Sequence, residues 1–204
     1  LVSEIGRSKQ YTGLATGDFE REKDVLNMAR QKAESISIDP NIAEEIMRIL
    51  IRSSLTSQER DRVIAEGKGN GRRVLVIGGA GEMGTWFVDF FASQDFAISV
   101  ADPSIESGLN RFPDWREAGI DYDIIVVATP LAVSGQILTE LAECRPKALI
   151  FDIASLKTPL RKGLERLKDN GCLVASLHPM FGPETKLLSG RHLIFIDTGC
   201  AEAT

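Results

Sequence analysis

The chain has 204 residues, with 24 Lys and Arg against 29 Asp and Glu, a net charge of -5 and 43% hydrophobic residues. That length allows one domain or two small ones with a real core. An acidic balance without a basic block argues against affinity for nucleic-acid phosphates, and no segment approaches the roughly 18 consecutive apolar residues of a bilayer span. The start, LVSEIGRSKQ, has no signal-peptide pattern, so a cytoplasmic protein without nucleic-acid or membrane partners is expected. Cys144, Cys172 and Cys200 are widely spaced and lack CxxC or paired-His spacing, which indicates neither a disulfide framework nor a metal site. The lack of an initiator Met and the end at IDTGCAEAT lead us to expect a segment of a longer product.

Three helices are predicted first. LVSEIGRSK reads as the end of one helix, Asp18 can cap a second running to about Ser35, and Asp39-Pro40 is a cap followed by proline at the first helical position of a third, which runs past Gln58. Its apolar stripe through Ile46, Met47, Leu50 and Ile51 continues into Ser54 and Gln58. Lys9 likewise follows Leu1 and Ile5 on a face that should be buried, and Arg21 and Glu22 lead the stripes of Val25, Leu26 and Ala29. Inward polar groups need partners, so their convergence predicts a polar pocket in a small helical bundle. The run GKGNGRR then marks a boundary, giving a helical domain over 1–68, a linker over 69–73 and a second domain over 74–204.

The second domain opens with VLVIGGAGEMG, an apolar strand running into glycines and a helix. Gly79, Gly81 and Gly84 form GxGxxG: the first for a tight turn, the second for backbone approach to a pyrophosphate, the third for close helix packing. Glu82 and Met83, between the last two glycines, open a helix whose N-terminus faces the anion. A second strand, FAISVADPS, ends at Asp102, eighteen residues after Gly84, near the spacing of an acid that binds the adenosine ribose. No Arg adjoins it to take a 2′-phosphate, so NAD is the expected cofactor. Further strands at DYDIIVVATP, KALIFDIAS and CLVASLHPM predict a doubly wound parallel sheet of Rossmann type, with Thr129-Pro130 lining the cofactor site. The short path from Asp102 to Ile124 implies a degenerate strand or helix.

Two strand ends carry candidate chemistry. DIASLKTP places Ser155 and Lys157 after one strand, and SLHPMFGPE places His178 after the next, on the edge of the glycine loop. A histidine there can take a hydroxyl proton as hydride leaves the same carbon. Lys157 is read either as one member of an ion pair or, by preference, as a solvated charge at a helix start, and His192 as structural.

LHPMFGPE, with DIASLK and VIGGAGEMG before it, resembles prephenate dehydrogenase, and the helical part resembles chorismate mutase through Lys9, DFERE and SSLTSQ. Fusion of the two in this order resembles the bifunctional family of tyrosine biosynthesis, an all-α mutase-like domain followed by an α/β dehydrogenase domain. The resemblance implies that Lys9 and Gln58 hydrogen-bond the breaking ether oxygen of chorismate. It implies that Arg21 binds a carboxylate, that Glu22 and the backbone near Asp18 hold the ring hydroxyl, and that Ser54 lies by a substrate carboxylate. In the dehydrogenase it implies that His178 bonds the C4 hydroxyl of prephenate, oriented by Ser155. It further implies two mutase arginines upstream of Leu1, a later helical domain and a homodimer. Arogenate as substrate, and a non-catalytic NAD-binding module, are the alternative readings.

Overall fold

The computed structural model describes residues 19–186, 188 and 190–203, and divides into two compact units that part between Ala65 and Glu66. Lys9, Asp18 and the first expected helix lie outside the described residues.

The helical unit contains α1 (Phe19–Ser35) and α2 (Pro40–Ala65). The expected cap is present: Asp39 Oδ1 accepts from the Asn41 N–H at 2.8 Å, and Pro40 begins α2, where its missing N–H costs nothing. Ala33 carries the turn between the helices, its carbonyl accepting from Ile36 and Ile38 N–H while Ser37 adopts φ 58°. Across the pair Arg30 bonds Glu44 at 2.7 Å, and Glu44 also takes Arg48 from its own helix. The inward row of α2 differs from the expected stripe. Met47, Ile51, Ser54 and Leu55 are half-buried and Gln58 is buried, whereas Ile46, Ile49 and Leu50 are exposed. The apolar residues of α2 spread over more than one face, so periodicity did not single out the face turned towards α1.

The second unit is a seven-stranded sheet of order β3-β2-β1-β4-β5-β6-β7. Its strands are β1 (Arg73–Ile77), β2 (Ala97–Ala101), β3 (Arg111–Phe112), β4 (Ile124–Val127), β5 (Leu149–Asp152), β6 (Leu173–Pro179) and β7 (Leu193–Ile196). All pair in parallel except β7, which runs antiparallel to β6 with His178 opposite Ile194. Central strands covered on both faces should be continuously apolar, and β1 and β4 are buried from Val74 to Ile77 and from Ile125 to Val127. Alternate residues feed two cores. Leu75, Ile77, Ile125 and Val127 meet Leu138, Leu141, Leu160 and Leu167 on one face. Val74, Val76, Val126 and Phe151 meet Phe87 and Phe91 on the other.

The covering helices are α3 (Glu82–Ser93), α4 (Trp115–Ala118), α5 (Leu131–Cys144) and α6 (Arg161–Asp169), the last preceded by a 3-10 turn at Thr158–Leu160. The short connection after Asp102 holds the two-residue β3 and the one-turn α4, both short where the spacing implied one degenerate strand or helix. Asp114 caps α4 by accepting from the Arg116 N–H at 2.9 Å. With β2 on one side of β1 and β4 on the other, strand order reverses at β1, which puts a ligand crevice at its carboxyl end.

Candidate functional site in the dinucleotide crevice

The turn after β1 begins one residue earlier than expected. Gly78, not Gly79, has the left-handed backbone, with φ 83°, and a Cβ on it would meet the Ala128 carbonyl oxygen at 2.7 Å. Gly79 is required for space instead, since its Cβ would lie 2.7 Å from Val100 Cγ1 and 3.0 Å from the Val76 carbonyl oxygen. Gly84 lets α3 sit on the turn, because a Cβ there would fall 2.0 Å from the Gly78 carbonyl oxygen. Gly81 is the N-cap of α3, and among the described residues no side chain caps the N–H groups of the first turn. Glu82 and Met83 follow in that turn, so the helix N-terminus opens beside the glycines, where a helix dipole favours an anion.

Asp102, just past β2, faces this loop. Its Oδ2 accepts from the Ala80 N–H at 3.2 Å, and its Oδ1 from the Ser104 N–H at 3.0 Å and the Ser104 hydroxyl at 2.6 Å. Burial pushes the carboxyl up, but the bonds from Ser104 and Ala80 outweigh it and hold Asp102 below the ordinary aspartate value. A cleft of about 810 Å³ runs past Gly78, Gly81, Asp102, Thr129 and Pro130 to the α4 and α5 faces. Thr129 and Pro130 are fixed by a residue the sequence did not flag. Ser134, 1% exposed, lies 2.9 Å from the Thr129 hydroxyl and bonds the Thr129 and Pro130 carbonyls at 3.0 Å each. Arg116 lines the same cleft, paired with Asp114 at 2.9 Å and with Glu140.

His178 lies within β6, two residues past Ser176, and is half-buried. The expected position after the strand is corrected, because pairing with β7 extends β6 to Pro179. Ser155 is exposed in the loop three residues past Asp152, itself paired with Ser176, so both candidates stand at the carboxyl edge of neighbouring parallel strands. Among the described residues neither side chain has a hydrogen-bond partner. The segment after His178 is anchored on α3: Phe181 packs on Trp86 with ring centroids 4.9 Å apart, and Trp86 Nε1 donates to the Thr185 carbonyl at 2.8 Å. The HPMFGPE segment is thereby tied to the helix that opens on the glycine loop. His192 is exposed, and its carbonyl accepts from the Met180 N–H at 2.9 Å, a structural role.

Lys157 is not the solvated charge that was expected. Its ammonium lies 2.5 Å from Oδ1 of Asp152, which is completely buried, and donates to the Leu177 carbonyl at 2.6 Å. Asp152 also accepts from the Ala154 N–H at 3.0 Å and the Ser176 hydroxyl at 2.6 Å. Burial draws the Lys157 ammonium below the ordinary lysine value, against the opposing pull of Asp152. The signal for this pair was a strand ending in an acid, IFD, with a lysine five residues on.

In the helical unit Ser54 and Gln58 come together, Gln58 Nε2 donating to the Ser54 hydroxyl at 3.0 Å. Gln58 Oε1 is buried and without a hydrogen-bond partner among the described residues. Arg21 is exposed and Glu22 half-buried in the first turn of α1.

The chorismate mutase type II family matches residues 1–59, and the nucleotide-binding domain family of prephenate dehydrogenase matches residues 105–201. The T-protein of Enterobacter agglomerans is 29% identical over 207 residues, covering all of this chain and 52% of the relative. The chain is thus similar to the T-proteins along its whole length, with a chorismate mutase match followed by a prephenate dehydrogenase match. The T-protein of Haemophilus influenzae is 26% identical over 97% of this chain and 50% of its own length. A protein of Methanocaldococcus jannaschii named "Probable arogenate/prephenate dehydrogenase" is 32% identical over 127 residues, 56% of this chain and 28% of its own. The chain thus spans about half the length of the T-proteins it matches. Among the described residues no helix is long and apolar enough to cross a membrane.

Proposed function

We propose that the α/β unit is the catalytic core of an NAD-dependent dehydrogenase that decarboxylates prephenate oxidatively to 4-hydroxyphenylpyruvate, in tyrosine biosynthesis. The observation that carries the reading is His178 on the strand edge shared with Ser155, in a segment that Trp86 ties to the helix of the glycine loop. The crevice fits the cofactor, since Gly78, Gly79 and Gly84 allow the tight turn and the close seating of α3 on it that open the crevice at the carboxyl end of β1. Glu82 and Met83, just past Gly81, present N–H groups to a pyrophosphate, Asp102 offers a carboxylate to the adenosine ribose, and Thr129 and Pro130 line the wall. Bound there, NAD supplies the hydride acceptor. His178 holds the C4 hydroxyl of prephenate and takes up its proton as that carbon becomes a carbonyl, with Ser155 orienting the imidazole. The bond to the ring carboxylate breaks, carbon dioxide departs and its electron pair completes the aromatic ring.

The helical unit, in the same reading, rearranges chorismate to prephenate. Gln58, with Lys9, donates to the ether oxygen as negative charge develops there, which is electrostatic catalysis needing no cofactor. Ser54, Arg21, Glu22 and Asp18 hold the substrate's carboxylate and hydroxyl groups. Bonding between Ser54 and Gln58 supports a shared polar site. A homodimer is proposed with it, supported by the exposed Ile42, Ile46, Ile49 and Leu50 of α2.

The deciding experiment is NADH formation from prephenate and NAD by the full-length protein, with His178→Asn beside it. Turnover that falls by roughly 10²–10⁴-fold in the variant is the expected result. Turnover on arogenate and none on prephenate would shift the substrate to the one included in the name of the M. jannaschii relative. NAD binding without turnover on either would leave a nucleotide-binding module.

A further inference from the structure

We infer that Asp152 and Lys157 are positioning residues for catalysis, a buried ion pair that sets Ser155 and His178 in register with each other; the inference rests on the dehydrogenase reading above. The β5–β6 ladder ends where Asp152 pairs with Ser176. Beyond that point β6 continues for Leu177, His178 and Pro179 with only β7 beside it. The lysine ammonium takes the place of the missing strand, holding the Leu177 carbonyl at 2.6 Å. That carbonyl belongs to the peptide joining Leu177 to His178, so fixing it fixes the course of the His178 backbone past the end of β5.

The same carboxylate controls the other side. Asp152 Oδ1 receives the Ala154 N–H, which folds the loop that carries Ser155, and Oδ2 receives the Ser176 hydroxyl two residues before His178. One side chain, 0% exposed, therefore ties the loop of one catalytic candidate to the strand of the other. A fully buried carboxylate with three donors is costly to assemble unless all are present, so the arrangement has little slack. Pure sheet stability would be met as well by an apolar residue at 152, as at the neighbouring buried positions of β5.

The test uses the full-length enzyme, Lys157→Met, and a cycle with His178→Asn. Lys157→Met is expected to lower kcat on prephenate by about 10²-fold, the scale of an ångström-sized misplacement, with the Kd for NAD within threefold of wild type. In the His178→Asn background the same substitution is expected to change kcat by less than threefold, because there is no imidazole left to misplace. Equal losses in both backgrounds, or no loss in the first, would overturn the proposal while leaving the dehydrogenase reading intact. Failure of the wild type to oxidise prephenate would instead strike that reading. Should Lys157→Met not bind NAD, Ser176→Ala carries the same cycle, since it loosens Asp152 while keeping the ammonium. A loss of kcat confined to the His178 background is then the expected result, and a background-independent loss overturns the idea.

Discussion

At the scale of single residues, the glycine loop separates demands that one motif blurs. Gly84 is needed for packing alone: a Cβ 2.0 Å from the Gly78 carbonyl oxygen forces α3 off the turn. Gly84→Ala should cost about 1–3 kcal/mol, the range for overpacking, and weaken NAD binding at least tenfold, measured by urea unfolding and by nucleotide titration. Asp102 makes a second prediction with a definite sign. Its folded pKa lies below the unfolded one, so its contribution to stability is complete above the ordinary aspartate value of about 3.9 and is lost as pH falls through the depressed folded value. The difference in melting temperature between wild type and Asp102→Asn should therefore be constant from pH 7 to 5 and shrink only on further acidification. That Gly79, Gly81, Gly84 and Asp102 meet at one turn was legible because strand, glycine spacing and acid form one pattern. Gly78, Ser134 and Asp152 were not. A left-handed φ one residue ahead of the motif leaves no mark in the spacing, a serine in the first turn of an apolar helix does not announce its bonds to Thr129 and Pro130, and an aspartate that ends a strand shows its role only once Ser176 of the next strand is in place. For Lys157 the solvated reading was preferred over the ion pair it forms, since the Leu177 carbonyl it also holds is twenty residues away.

Whole elements were read more reliably than their faces. The cap and proline at 39–40 and the apolar runs of β1 and β4 are local signals, and the structure carries α2 and the central strands there. Which side of α2 turns inward depends on α1, and the exposed Ile46 and Leu50 show that hydrophobicity alone did not decide it. Helix α3 anchors an element from a hundred residues away through Trp86, by ring packing on Phe181 and by the bond to the Thr185 carbonyl. Trp86→Phe keeps an aromatic face and removes the donor, a change of roughly 0.5–1.5 kcal/mol. It should raise the KM for prephenate or lower kcat severalfold with NAD affinity little changed, as steady-state kinetics and titration would show. If NAD affinity fell as much as turnover, the anchor would be serving α3 itself and not the His178 segment.

The molecule as a whole divides its buried apolar surface unequally. Both clusters of buried residues belong to the α/β unit, and among the described residues of the helical unit Ala33 is the buried apolar one. Hydrogen exchange should accordingly be faster over residues 19–65 than over β1, β4 and β5, and added NAD should slow exchange around the glycine loop without protecting α2 to the same degree. The arrangement of the sheet has a further consequence, in time. β1 pairs with β2 about one helix later, but its other neighbour, β4, lies fifty residues downstream, with Val74 opposite Ile124. Closing that long loop precedes any reward from the contacts it makes, so the β1–β4 seam is a slow step of folding. The crevice straddles that seam. A nascent chain can therefore complete its glycine turn early yet capture no nucleotide until residues beyond Val127 have left the ribosome and zipped on.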